Sequence, residues 1–199
     1  MGTLAAWMYS GILDGIILSG AHLSLTGSDW IDPLVGGLIG AAVGDVNANG
    51  LIGENLQIVN TIITDWNEGN TGGLFGILAY EEGGSPSVRD VTVNAAAVKG
   101  DDTVGGMVGW AKEFQALRSV TVQNSSVTGR YAVAGLAGDL RQRRENGEGL
   151  IEAVISRGNT VMAEASYAGG IAAYLDVESL NVQASEVSDC TIITSSKFI

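Results

Sequence analysis

Two stretches of this chain alternate apolar and polar residues in the same order. They are "SVRDVTVNAAAVKG" (Ser87 to Gly100) and "ALRSVTVQNSSVTG" (Ala116 to Gly129), and they align without a gap. Val91, Val93 and Val98 of the first match Val120, Val122 and Val127 of the second. Alternation with period two is the signature of a strand with one buried face. Looser copies run through "LQIVNTIITD", "LIEAVISRGNTVMA" and "SLNVQASEVSDCTII", and "DGIILSGAHLSLTG" fits with an insertion.

A Gly packet follows each alternating stretch except the last. The packets are "VGGLIG" (Val35 to Gly40), "TGGLFG" (Thr71 to Gly76), "VGGMVG" (Val104 to Gly109), "VAGLAG" (Val133 to Gly138) and "AGGIAA" (Ala168 to Ala173). The opening "MGTLAA" is a sixth copy already under way. Anchored on the second Gly position, the copies stand at 3, 37, 73, 106, 135 and 170, steps of 34, 36, 33, 29 and 35 residues. One unit is therefore expected to hold a strand pair, a polar turn, the packet and a return loop of variable length. Such a unit cannot bury its own apolar row, whereas stacking similar rows can.

A single Gly packet could cradle a phosphate. Six copies at a near-constant step, with no Lys-Ser/Thr following, indicate architecture instead. Gly36, Gly37, Gly72, Gly73, Gly105, Gly106, Gly135, Gly169 and Gly170 are expected at structural turns. There they permit either a positive φ or close approach of neighbouring units, and the next apolar residue points inward.

The unit V-x-V-x-N-x-x-V-x-G followed by V-G-G-L-V-G resembles the GLUG repeat of large bacterial cell-surface and secreted proteins, including regions flanking immunoglobulin A peptidases. "DTVGGMVGW" and "YAVAGLAG" carry the resemblance best, and it extends over nearly the whole chain. It implies an all-β, right-handed parallel β-helix (a β-solenoid of about six Gly-rich repeats) and a surface or adhesin-like role. It defines no catalytic residues. The peptidase motif His-Glu-x-x-His is absent, and His22 is the only His. Strands in such a fold lie about 4.8 Å apart, so six turns would make a rod roughly 25–30 Å long. Neither end has an obvious polar cap, so residues 1–199 are expected to form one solenoid domain within a longer protein.

Composition narrows the function classes. The net charge is −12, which disfavours nucleic acid. No apolar segment has the length and flanks of a signal peptide or a membrane span. The resemblance implies a secreted or cell-surface setting, so an export signal is expected outside these residues, and no membrane insertion is expected. Expected partners are adjacent domains of a longer chain and a host protein or glycan. Cys190 is alone and excludes an internal disulfide.

The turn before each packet holds the candidate chemistry. Asp32, Glu68 and Asp101 stand five positions before three successive anchors, and Arg130 holds that place in the next unit. Trp30 and Trp66 stand seven before, and Tyr131 lies close by in its own unit. With Asp102, these residues could line a carbohydrate or Ca²⁺ site, since aromatic faces stack on sugar rings and carboxylates bind hydroxyls or hard cations. A solvated acidic turn with aromatics closing the core edge accounts for the same residues. No EF-hand or Gly-Gly-x-Gly-x-Asp repeat supports the metal, and no other cofactor is expected. Trp7, Trp110 and Tyr174 share a place four after the anchor with Ala41, Ile77 and Asp139, which reads as core or edge packing with Asp139 as an exception. "RQRR" (Arg141 to Arg144) reads as an exposed basic loop.

Three functions follow: a non-catalytic surface module, structural or binding; a polysaccharide-binding or polysaccharide-active β-helix, with Asp32, Glu68, Asp101 and Asp102 as candidate carboxylates; and an ice-binding solenoid. The last ranks low, because Thr92, Thr121 and Thr128 do not extend into a regular array.

Overall fold

The computed structural model describes residues 1–26, 33–62, 69–79, 86–142, 149–177 and 180–195. Among them there is no helix. The chain is all-β, and its strands pair in parallel. Three sheets result, of fourteen, six and five strands.

One pass of the chain shows the plan. Thr103–Gly105 lies in the five-stranded sheet, and the chain then turns and continues as Val108–Lys112 in the fourteen-stranded sheet. Ala116–Gln123 belongs to the other arm of that sheet, and Ser126–Gly129 enters the six-stranded sheet. The next pass opens with Ala132–Ala134, paired in parallel with Thr103–Gly105. The unit thus contains four strands rather than the expected pair, because the packet itself is two strands joined at a corner.

Register follows the packet spacing. Trp7 pairs with Ala41, Leu34 with Asn70, Asn70 with Thr103, Thr103 with Ala132 and Ala132 with Tyr167. These partners are 34, 36, 33, 29 and 35 residues apart, the steps read between anchors. Val91, Val93 and Val98 stand beside Val120, Val122 and Val127, and all six are buried. Leu38, Leu74 and Met107, each following a Gly pair, and Leu136, following Ala134-Gly135, are buried in the same core. Burying each such side chain contributes about 1.5–3 kcal/mol, and stacking like on like lets neighbouring units share one continuous core.

The packet glycines are required for close approach, not for positive φ. None of them has a positive φ among the described residues. A Cβ on Gly106 would overlap the carbonyl oxygen of Gly135 in the next pass, and one on Gly73 would overlap that of Gly106. The backbone of each corner therefore sits directly on its neighbour.

Positive φ is concentrated at two other corners. One column is Gly20, Asn55, Ala95, Asn124, Gly158 and Asp189, each between the large sheet and the six-stranded sheet. The second is Gly15, Gly50, Asp90, Ser119, Ala153 and Ala184, inside the large sheet. Backbone hydrogen bonds link successive members to the adjacent pass, such as Ala95 N–H to the Gln123 carbonyl at 3.0 Å and Asn124 N–H to that of Arg157 at 3.0 Å. Gly, Asn and Asp adopt the left-handed conformation readily, whereas Ala does so at a cost. Cys190 follows Asp189 in this turn, just before the strand Thr191–Thr194.

"RQRR" is also corrected. Arg141 and Gln142 belong to the strand Ala137–Gln142, and Gln142 is buried. Arg143 and Arg144 lie outside the described residues.

Candidate functional site

The fold brings two columns of side chains together. One consists of the first residues of the five-stranded sheet: Leu34, Asn70, Thr103, Ala132 and Tyr167. The other lies just past the Gly corner, on the large sheet: Trp7, Ala41, Ile77, Trp110, Asp139 and Tyr174. Between them runs a groove of about 800 Å³, into which Tyr131, Asp102, Arg141 and Ser166 also project. The close backbone packing of the Gly corner sets the two columns near each other.

This corrects the packing role expected for Trp7, Trp110 and Tyr174. Trp7 is 57 % exposed and Tyr174 is 38 % exposed, and both line the groove. None of the three belongs to the core that holds Val108 and Ala111. The indole N–H of Trp110 is buried without a hydrogen-bond acceptor. Tyr167 and Tyr174 tilt against each other, with ring centroids 6.0 Å apart at 54°.

Asp139 is the polar member of the aromatic column, and it seats an arginine. Arg141 donates from Nε to both Asp139 oxygens, at 3.1 and 3.0 Å, and from Nη2 to one of them at 2.7 Å. The guanidinium carbon then lies 5.6 Å from the Trp110 ring centre and 5.5 Å from that of Tyr174. A planar cation so placed is attracted to both ring faces. The Arg141 guanidinium thus bridges the interval that Asp139 leaves between the two rings. Burial pushes the Asp139 carboxyl above its ordinary pKa, against the opposing pull of Arg141. Arg141 is held above its own ordinary value, chiefly by its hydrogen bonds to Asp139.

Asp101 and Asp102 are not a solvated turn. Both are buried, and Arg130 Nη2 lies 2.9 Å from Asp101 Oδ2 and 3.6 Å from Asp102 Oδ1. The Gly69 N–H donates to Asp102 Oδ2 at 3.1 Å, tying this cluster to the previous pass. Arg130 also lies over the Tyr131 ring, 4.5 Å from its centre. Asp101 and Arg130 do occupy equivalent places in successive units, as their spacing suggested, and the Arg130 N–H donates to the Asp101 carbonyl at 2.6 Å. Of the expected ligand-binding set, the structure brings Asp102 and Tyr131 to the groove. Trp30, Asp32, Trp66 and Glu68 lie outside the described residues. Among the described residues, no group of three or more His, Cys, Asp and Glu is placed to hold a metal ion. No helix long and apolar enough to cross a membrane occurs among them.

No family model, curated protein or solved structure matches the chain.

Proposed function

We propose that this chain is a right-handed parallel β-helix of the GLUG-repeat kind, serving as a non-catalytic binding module of a secreted or cell-surface protein. Its groove would hold an extended ligand along the stacking direction. The observation that carries this reading is the pair of in-register columns, which sets side chains of successive passes along one groove at the spacing of a parallel sheet. A repeated site of that kind suits a repeated or linear ligand.

Binding is favoured over hydrolysis because the carboxylates near the groove are engaged by arginine: Asp101 and Asp102 by Arg130, and Asp139 by Arg141. The test combines tryptophan emission with product analysis over a panel of linear polysaccharides and extended peptides. The expected result is a saturable emission change with at least one ligand and no cleavage. Released fragments would overturn the non-catalytic reading, and an unchanged spectrum across the panel would overturn the groove as a binding surface.

A further inference from the structure

We infer that Arg141 is a latch over this groove: seated on Asp139 it covers the Trp110 and Tyr174 rings, and released from Asp139 it turns to Asp176 in the next pass and uncovers them. What the latch controls rests on the groove being the binding surface, whereas the latch itself is read without a ligand.

The closed position is the one in the structure. Contacts of 3.1, 3.0 and 2.7 Å hold the guanidinium on Asp139. Its carbon lies 5.6 Å from the centre of the Trp110 ring and 5.5 Å from that of Tyr174. A ligand cannot stack on a ring face that the guanidinium occupies. Lys112 Nζ also lies 6.0 Å from the Trp110 centre, at the outer limit of such a contact. Among the described residues, no second cation lies over Tyr174. The two rings are thus covered together by one side chain, which is itself 40 % exposed.

Asp176 supplies the second seat. It is the strand partner of Arg141 in the next pass, about 4.8 Å along the stack. Its charge acts on both Arg141 and Asp139. Lys112 is the partner of Arg141 in the preceding pass, so repulsion between like charges favours the same direction, towards Asp176.

Asp139 decides between the seats. One proton taken from water makes its carboxylate a neutral acid, while Arg141 keeps its charge. The contacts then lose the charge assistance that makes a carboxylate–guanidinium pair strong, and ring attraction at a partly exposed site is the weaker hold. Burial already keeps the Asp139 carboxyl above its ordinary value, so the step falls in mildly acidic solution. The other groups facing the pair are Lys112 on the preceding strand and Tyr174 and Asp176 on the following one. Across the groove stand Tyr131, Tyr167 and Asp102, the last held by Arg130.

The test is acrylamide quenching of Trp110 between about pH 4 and 7, taken as the difference between the wild-type chain and Trp110→Phe. Carboxyl NMR, assigned with Asp139→Asn, gives the midpoint of Asp139. Quenching is expected to rise as pH falls, with that same midpoint. Asp139→Asn and Arg141→Ala should each leave Trp110 open across the range, Asp176→Asn should shrink the step, and Lys112→Met should keep it. Circular dichroism confirms that each protein stays folded at each pH. Quenching that ignores pH while Asp139 titrates would overturn the latch, and so would a step that survives Arg141→Ala. The panel of linear polysaccharides and extended peptides, run at both ends of the range, separates the two readings. A ligand that binds is expected to bind more tightly at the acidic end. Binding with no quenching step overturns the latch alone, and a quenching step with no binding at either pH overturns the groove as a binding surface and keeps the latch.

Discussion

Asp139 and Arg141 form a two-contact ion pair on the outer face of one strand, with Nη2 2.7 Å from the carboxylate and Nε about equally close to both oxygens. The pair replaces an aromatic ring in the column between Trp110 and Tyr174. Its guanidinium occupies the interval between the two rings, 5.6 and 5.5 Å from their centres.

The pair gives the fold a pH dependence with a definite sign. Asp139 titrates above its ordinary value of 3.8 in the folded chain, mainly because it is buried. Between those two values the folded state holds more protons than the unfolded one. Stability therefore falls as pH rises through this window. Asp139→Asn removes that contribution. Denaturant unfolding of both proteins between about pH 3 and 7 should show wild type losing stability relative to the variant as pH increases. A constant difference would contradict the assigned shift.

Arg130 holds two buried carboxylates in place. Arg130→Met should destabilise by about 3 kcal/mol, since Asp101 and Asp102 keep their burial and lose this cation. Adding Asp101→Asn and Asp102→Asn should recover part of the loss. Urea midpoints of the single and triple variants measure this, and no recovery would mean that Arg130 acts through packing.

The left-handed corner column contains both permissive and costly residues. Ala95 has φ 53° where equivalent corners carry Gly, Asn or Asp. Ala95→Gly should raise stability by about 0.5–1 kcal/mol, the steric penalty relieved less the added chain entropy. Gly20 has the same sign of φ and open space around its missing Cβ, so Gly20→Ala should cost about 1 kcal/mol. Opposite shifts in thermal midpoint check the pair.

Gly106 behaves differently, because its constraint is contact and not φ. Its added Cβ would meet the Gly135 carbonyl and lie 2.7 Å from Val122 Cγ1. Gly106→Ala should cost about 3 kcal/mol or more, well above Gly20→Ala. Equal costs at the two sites would remove the distinction between the two kinds of corner.

Much of this was legible in the chain. The packets at constant step predicted which residues would stand side by side, and Thr103 does stand between Asn70 and Ala132. A further signal lay in plain view. Gly20, Asn55, Ala95, Asn124, Gly158 and Asp189 each precede by three the buried or half-buried column Leu23, Ile58, Val98, Val127, Val161 and Ile192, apart from the exposed last member. Ala95 obscures it, since Ala carries no preference for a corner.

The sequence by itself determined the register, because the recurring packets and period-two alternation admit one way of stacking apolar rows. It could not determine which acidic residues remain in water. Asp101 and Asp102 look like a solvated turn until Arg130 of the following unit folds over them. Nor could it tell whether Trp110 and Tyr174 pack inward. That depends on which way a strand faces after the Gly corner and on how near the corner brings the second column. Both are properties of backbone contacts between passes, and only the tertiary structure decided them.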